Sequence, residues 1–372
     1  MVRLIAIAAI ILSAAVAATA ERSPYSWPHF LANRSVIAQL FEWRFDDVAD
    51  ECENFLGPHG YGAVQVSPVL EYAKVVEPLR PWWERYQPVS YRIISRSGDH
   101  NQLSHMIDRC HRAGVRVYVD LVINHMTGAT TGRGVGDTPY DGRNKDYPGV
   151  PYGPSHFNSH SKCKSSSGGI ENWHDADQVR NCELVGLRDL DLGQEYVRQK
   201  VVEAINDLVK LGIAGFRVDA SKHMWPQDIA AILERVGHLN SSYFAAGSRP
   251  FIYHEVAYEE GSGPHPREYL TTGTLLEFRY RRKIVDVFRK YHDQKLKWLR
   301  NFGKEWDFLP GESAVPFVDN HDTQRSEIFT GINFRQPKLL KMATAFMLAW
   351  PYGSPRVMSS YEWPVNKEKV TK

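Results

Sequence analysis

Three acids stand where short apolar runs end. Asp219 follows Gly215-Phe-Arg-Val, Glu255 follows Pro250-Phe-Ile-Tyr-His, and Asp322 closes Phe317-Val-Asp-Asn-His. Any one of them alone is more often a structural partner for a nearby base. Three acids brought to one mouth can do more. Two carboxyls held in opposite charge states cleave an acetal, one acting at the anomeric carbon and the other protonating the leaving oxygen. Arg217 lies two residues before Asp219, on the same side of a strand. A buried arginine needs a compensating charge, so a plain Arg–Asp pair is the alternative reading of that stretch. The chain has no Gly-x-Ser-x-Gly elbow and no phosphate-binding loop.

The elements that must carry these acids follow from hydrophobic pattern. Strands are expected at Val36–Trp43, Gly62–Pro68, Val115–Ile123, across Phe216–Asp219, and at Pro250–Val256, Leu275–Phe278, Val315–His321 and Arg356–Ser360. Helical pattern covers Asp46–Phe55 with Asp46 as cap, Asn101–Ala113 ended by Gly114, Gln194–Leu211, a segment from Gln227, and Pro337–Leu348. Eight strands alternating with helices predict an α/β fold, a closed (β/α)8 barrel. Between the third and fourth strands, residues 126–192 lose this pattern and turn rich in Gly, Ser, Pro, Asn and Asp. A structureless loop of that length does not suit a compact domain, so an inserted domain is expected. The division is therefore 1–20 signal peptide, 21–125 first part of the barrel, 126–192 insertion, and 193–372 the remainder.

Arg3, the apolar run Leu4–Val16 and the small residues Ala18-Thr-Ala20 form the pattern of a secretory signal. The run is too short to span a bilayer. A secreted chain with four cysteines, Cys52, Cys110, Cys163 and Cys182, is expected to hold two disulfides. Three pairings are open. The sequential one is simplest, and loop entropy gives it roughly 4 and 3 kcal/mol. With 45 basic and 43 acidic residues the net charge is +2. Nothing there points to nucleic acid or to an anionic membrane. Aromatic residues reach 12%. Trp82, Trp83 and Tyr86 fall together in a proline-bounded loop, where flat rings offer stacking area for sugars.

Four motifs taken together resemble the animal α-amylases of glycoside hydrolase family 13, the arthropod members in particular. They are Asp120-Leu-Val-Ile-Asn-His125, Gly215-Phe-Arg-Val-Asp-Ala-Ser-Lys-His223, His254-Glu-Val256 and Phe317-Val-Asp-Asn-His-Asp322. The resemblance runs from about residue 25 to 362. It implies Asp219 as nucleophile, Glu255 as acid/base and Asp322 as transition-state stabiliser in a retaining hydrolysis of α-1,4-glucans. It assigns sugar contacts to Trp82, Trp83, Tyr86, His125, Lys222 and His321. It implies calcium held by Asn124, Asp189 and the carbonyls of Arg180 and His223. It also implies chloride held by Arg217, Asn320 and Arg356. The implied protein is a secreted monomer whose partner is starch or glycogen. Against the family pattern, the last barrel helix and a C-terminal β-sandwich are expected to be absent from this chain. The alternatives are an exo-acting α-glucosidase and a truncated, non-catalytic glucan-binding protein.

Overall fold

The computed structural model describes residues 22–359. The signal segment, Ser360 at the end of the expected eighth strand and the C-terminal tail lie outside the described residues. Eight parallel strands form one sheet: β1 (Ile37–Leu40), β2 (Ala63–Val66), β3 (Arg116–Leu121), β4 (Gly215–Val218), β5 (Phe251–His254), β6 (Thr274–Leu276), β7 (Ala314–Val315) and β8 (Arg356–Met358). Each pairs with its sequence neighbour from β1 to β7, and β8 returns to pair with β1. A bridge between Phe317 and Arg356 closes the ring between β7 and β8. This is the (β/α)8 barrel the pattern predicts. Its strands read as continuous apolar runs because one face fills the barrel and the other lies under helices.

The helices among the described residues are α1 (Phe45–Glu51), α2 (His100–Arg112), α3 (Ala176–Asn181), α4 (Glu195–Leu211), α5 (Pro226–Arg235), α6 (Phe278–Arg289) and α7 (Pro337–Ala349), with a one-turn helix at Thr323–Ser326. Asp99 and Gln102 form a reciprocal cap at the start of α2, and Gly114 takes φ +76° just past its end. Of the boundaries that depart from expectation, three have a local cause. Asp46 does not cap α1, because the helix already starts at the buried Phe45; its carboxylate instead accepts from Gln102 Nε2 at 2.8 Å and ties α1 to α2. The seventh strand stops at Val315 because Pro316 has no N–H to give the ladder. The sixth strand stops at Leu276 because Glu277 turns to cap α6, accepting from the Arg279 N–H at 3.0 Å. Helix α6 itself was hidden by its charges, although Tyr280, Ile284, Val287 and Phe288 hold helical spacing on its buried side.

Two additions to the barrel bear on its mouth. Strands Leu70–Tyr72, Pro88–Ser95 and Gly98–Asp99 form an antiparallel sheet, and the aromatic loop spans the first two. Residues 126–192 hold α3, a two-stranded sheet of Thr131–Arg133 with Pro139–Asp141, and several turns. Chain entry and exit lie side by side, where the Met126 N–H donates to the Arg188 carbonyl and the Arg188 N–H to that of Thr127. Disulfides join Cys52 to Cys110 and Cys163 to Cys182, the sequential pairing. No helix among the described residues is long and apolar enough to cross a membrane.

Candidate active site

The mouth is built around Arg217 of β4. Its side chain is 1% exposed and meets three carboxylates. Nη1 donates to Asp120 Oδ1 and to Asp219 Oδ1, each at 2.6 Å, and Nη2 pairs with Glu255 Oε1 at 2.5 Å. The strand register explains this. Arg217 stands directly opposite Asp120 of β3, Asp219 is the next residue on the same face, and Glu255 leaves the end of β5 beside it. Immediately after Asp219 the chain turns at Ala220, whose φ of +50° is costly for a residue with a Cβ. That turn aims the Ala220 N–H at Glu255 Oε2, 2.9 Å away.

Asp120 and Ala220 were both missed as site residues. Asp120 carried a signal, being the one acid inside the apolar run Val115–Ile123. Ala220 carried none, because nothing in its side chain announces a left-handed backbone.

Asp219, Glu255 and Asp322 open into one cleft of about 270 Å³ that is also lined by Trp82, Trp83, Tyr86, His125, Lys222 and His321. The His321 ring is sandwiched between Phe41 and Tyr86, with centroids at 4.8 and 5.3 Å and near-parallel planes. Trp82 meets its edge at 5.5 Å. The Tyr86 hydroxyl donates to Asp120 Oδ2 at 2.9 Å, and His125 Nε2 contacts the Tyr86 carbonyl at 2.9 Å. Leu184, Val185 and Leu187 of the insertion complete the rim.

Charge in this cleft is unbalanced. Three carboxyls contact one guanidinium and Asp322 stands close by, so acids outnumber the cation that holds them. Burial raises Asp219 and Asp120 against the pull of Arg217. Desolvation against the cleft wall, then the nearby Glu255, push Asp322 up from its usual value, an effect that solvent moderates because its side chain is 45% exposed. Burial also lowers His125 to about 4 and His321 well below its usual value, so both rings act as neutral hydrogen-bonding groups. A close set of carboxyls with different proton affinities can supply a nucleophile and a proton donor together.

Behind the cleft, Arg356 is 1% exposed and donates only Nη1, to Gln65 Oε1 at 3.0 Å. Its Nε and Nη2, and Nε of Arg217, have no hydrogen-bond partner among the described residues. Two buried cations with three orphaned donors fit an anion. Asn320 is buried, its Oδ1 accepting from the Asp322 and Thr323 N–H groups.

A second cavity, of about 370 Å³, lies between barrel and insertion. Asn124, Arg180 and His223 line it. Asp189 is buried at its edge and accepts from Asn158 Nδ2 at 2.6 Å. Burial holds Asp189 well above the carboxylate range, against the pull of its Asn158 hydrogen bond and a weaker one from Lys145. Oxygen donors around an undercompensated buried carboxyl fit a hard cation. Among the described residues no three His, Cys, Asp or Glu side chains converge as a metal cluster.

A closed parallel barrel with carboxyls and aromatic rings at its C-terminal mouth defines an enzyme of carbohydrate cleavage. The family model described as "Alpha amylase, catalytic domain" matches residues 56–260. An α-amylase of Dermatophagoides pteronyssinus is 51% identical over 342 residues, 91% of this chain and 68% of that protein. The pancreatic α-amylase of Sus scrofa is 49% identical over 345 residues, 91% of this chain and 67% of its own length. The crystal structure of α-amylase I from Eisenia fetida superposes with a TM-score of 0.89 at 45% identity, covering 92% of this chain and 69% of that one. The chain belongs to the α-amylase family of glycoside hydrolases.

Proposed function

We propose that this chain is a secreted, monomeric, endo-acting hydrolase of α-1,4-glucans such as starch and glycogen. One observation carries the reading: Arg217 grips Asp219 and Glu255 with neighbouring nitrogens at the floor of an aromatic cleft. A retaining mechanism needs its two carboxyls roughly 5–5.5 Å apart, and one guanidinium shared by both holds them close. Asp219 attacks the anomeric carbon as Glu255 gives its proton to the departing glycosidic oxygen. A covalent glycosyl ester results. Water then attacks the same carbon, Glu255 takes its proton, and Asp219 leaves as carboxylate. Asp322 grips the hydroxyls of the distorting ring. Trp82, Trp83 and Tyr86 offer rings to sugar faces, while His125, His321 and Lys222 reach hydroxyls. A related Eisenia fetida enzyme was crystallised, as a mutant, with maltohexaose, which supports an extended glucan as substrate.

Reducing-sugar release from soluble starch tests this, with calcium and chloride present. The chain is expected to release sugar, and Glu255→Gln is expected to lower the rate by roughly 10²–10⁴-fold. A folded chain that binds glucan without turning it over would instead be a binding protein.

Arg217, Asn320 and Arg356 would hold a chloride, whose charge would favour the protonated state of the acid nearby. Dialysis into chloride-free buffer is expected to cut turnover several-fold, with restoration by added chloride. Arg356→Gln should make the rate indifferent to chloride. Unchanged activity after dialysis of the parent would remove the anion from the scheme.

Asn124, Asp189 and the carbonyls of Arg180 and His223 would hold calcium, which joins insertion to barrel when bound. Chelation is expected to lower the melting temperature and to expose the segment 126–192 to protease, both reversed by calcium. Equal melting curves with and without chelator would refute the site.

A further inference from the structure

We propose that a partly buried lattice of ions beneath the aromatic loop, centred on the buried Arg85 and the partly exposed Glu42, is a positioning device that sets Trp82 and Tyr86 for stacking on glucan. The inference rests on the glucan-hydrolase reading and deepens it.

The turn Trp82–Tyr86 divides its side chains. Trp82, Trp83 and Tyr86 face the cleft, whereas the side chains of Glu84 and Arg85 are completely buried behind them. Arg85 reaches three separate segments. Nη2 donates to Ser97 Oγ at 3.0 Å and Nη1 donates to the Pro68 carbonyl at 3.2 Å, while Nε lies 2.6 Å from Glu42 Oε1 as an ion pair without hydrogen-bond alignment. Arg96 doubles the connection, pairing with Glu42 Oε2 at 2.5 Å and Glu84 Oε1 at 3.4 Å. Glu84 is held again by Arg80 Nη2 at 2.8 Å and by the Val75 N–H at 3.0 Å.

Glu42 links the lattice to the catalytic wall. It follows Phe41, the ring stacked on His321, and takes φ +70°, an uncommon backbone for glutamate. The same point therefore fixes Phe41 from one side of the His321 ring and Tyr86 from the other.

Stability alone does not account for the lattice. Desolvating buried ions is so costly that well-packed apolar side chains of equal volume often serve as well or better. What apolar packing cannot supply is direction. A planar guanidinium with partners on three segments admits one orientation of the turn that carries it. Neither Glu42 nor Arg85 lines the cleft, so they act through the rings above them.

The test is the double variant Glu42→Gln/Arg85→Met, which removes both charges of the central pair together and leaves Arg96 with Glu84. It is compared with the parent by thermal melting, by kcat and KM on soluble amylose, and, with Glu255→Gln added to both chains so that the ligand is not consumed, by calorimetric binding of maltoheptaose. Melting is expected to stay within a few degrees. KM and the maltoheptaose Kd should each rise about tenfold, the size of one lost ring contact, while kcat changes by less than about threefold. A folded double variant with parental KM and Kd overturns the proposal, as does one that loses kcat alone. Should the double variant fail to fold, Arg85→Lys decides, because it keeps the charge but not the fork. Raised KM and Kd in the folded Lys variant support the device; parental values overturn it. The binding arm is independent of turnover. A parent that binds maltoheptaose but cannot hydrolyse starch would refute the hydrolase reading and still let the lattice be judged.

Discussion

Asp219→Asn is expected to lower starch turnover by about 10⁴-fold or more, on the scale of losing a covalent nucleophile. The change keeps side-chain volume, so packing at the end of β4 is undisturbed. Arg217 loses one charged partner but retains Asp120 at 2.6 Å and Glu255 at 2.5 Å. The variant should therefore fold and still bind maltoheptaose. An amide oxygen is a poor nucleophile towards an anomeric carbon, so the ester intermediate no longer forms. Product stereochemistry gives an independent check on the parent. A double displacement through Asp219 releases the α-anomer first, which proton NMR resolves before mutarotation. Immediate β-anomer from the parent, or an Asp219→Asn variant that keeps most of the parental turnover, would remove Asp219 from the nucleophile role.

The second large effect is expected at Arg217. Replacing it with Met should cost about 3–5 kcal/mol of stability, because three carboxylates lose their shared buried cation. That corresponds to a fall in melting temperature of roughly 10 °C. Activity should vanish as well, since nothing then fixes Asp219 against Glu255. Arg217→Lys tells charge from geometry. An ammonium restores one positive charge but cannot reach two sides at once. It should recover part of the stability and little of the turnover. A Met variant that melts like the parent would show that the acids are neutralised in some other way.

Much of the architecture was legible because the barrel strands are buried on both faces and so read as short apolar runs between helical patterns. The residues that misled did so for local reasons. Pro316 cut a strand short, and Glu277 used its carboxylate as a helix cap where an unbroken strand was expected. Helix α6 was obscured by the dense arginines and lysine along it.

By itself the sequence determined the family, through motifs whose residue types occur in order along the chain, and it put Asp219 and Glu255 at strand ends; Asp322 instead follows a loop, because its strand stops at Val315. Only the tertiary structure decided how charge is shared among them. Strand register set Asp120 opposite Arg217, and a left-handed Ala220 turned a backbone donor onto Glu255. Folding also drew Glu42, Arg85 and Arg96 together behind the aromatic loop. The physical reason is range. Apolar periodicity and capping are written over a few neighbouring residues, whereas the energy of a buried charge depends on every group that folding brings within a few ångströms of it.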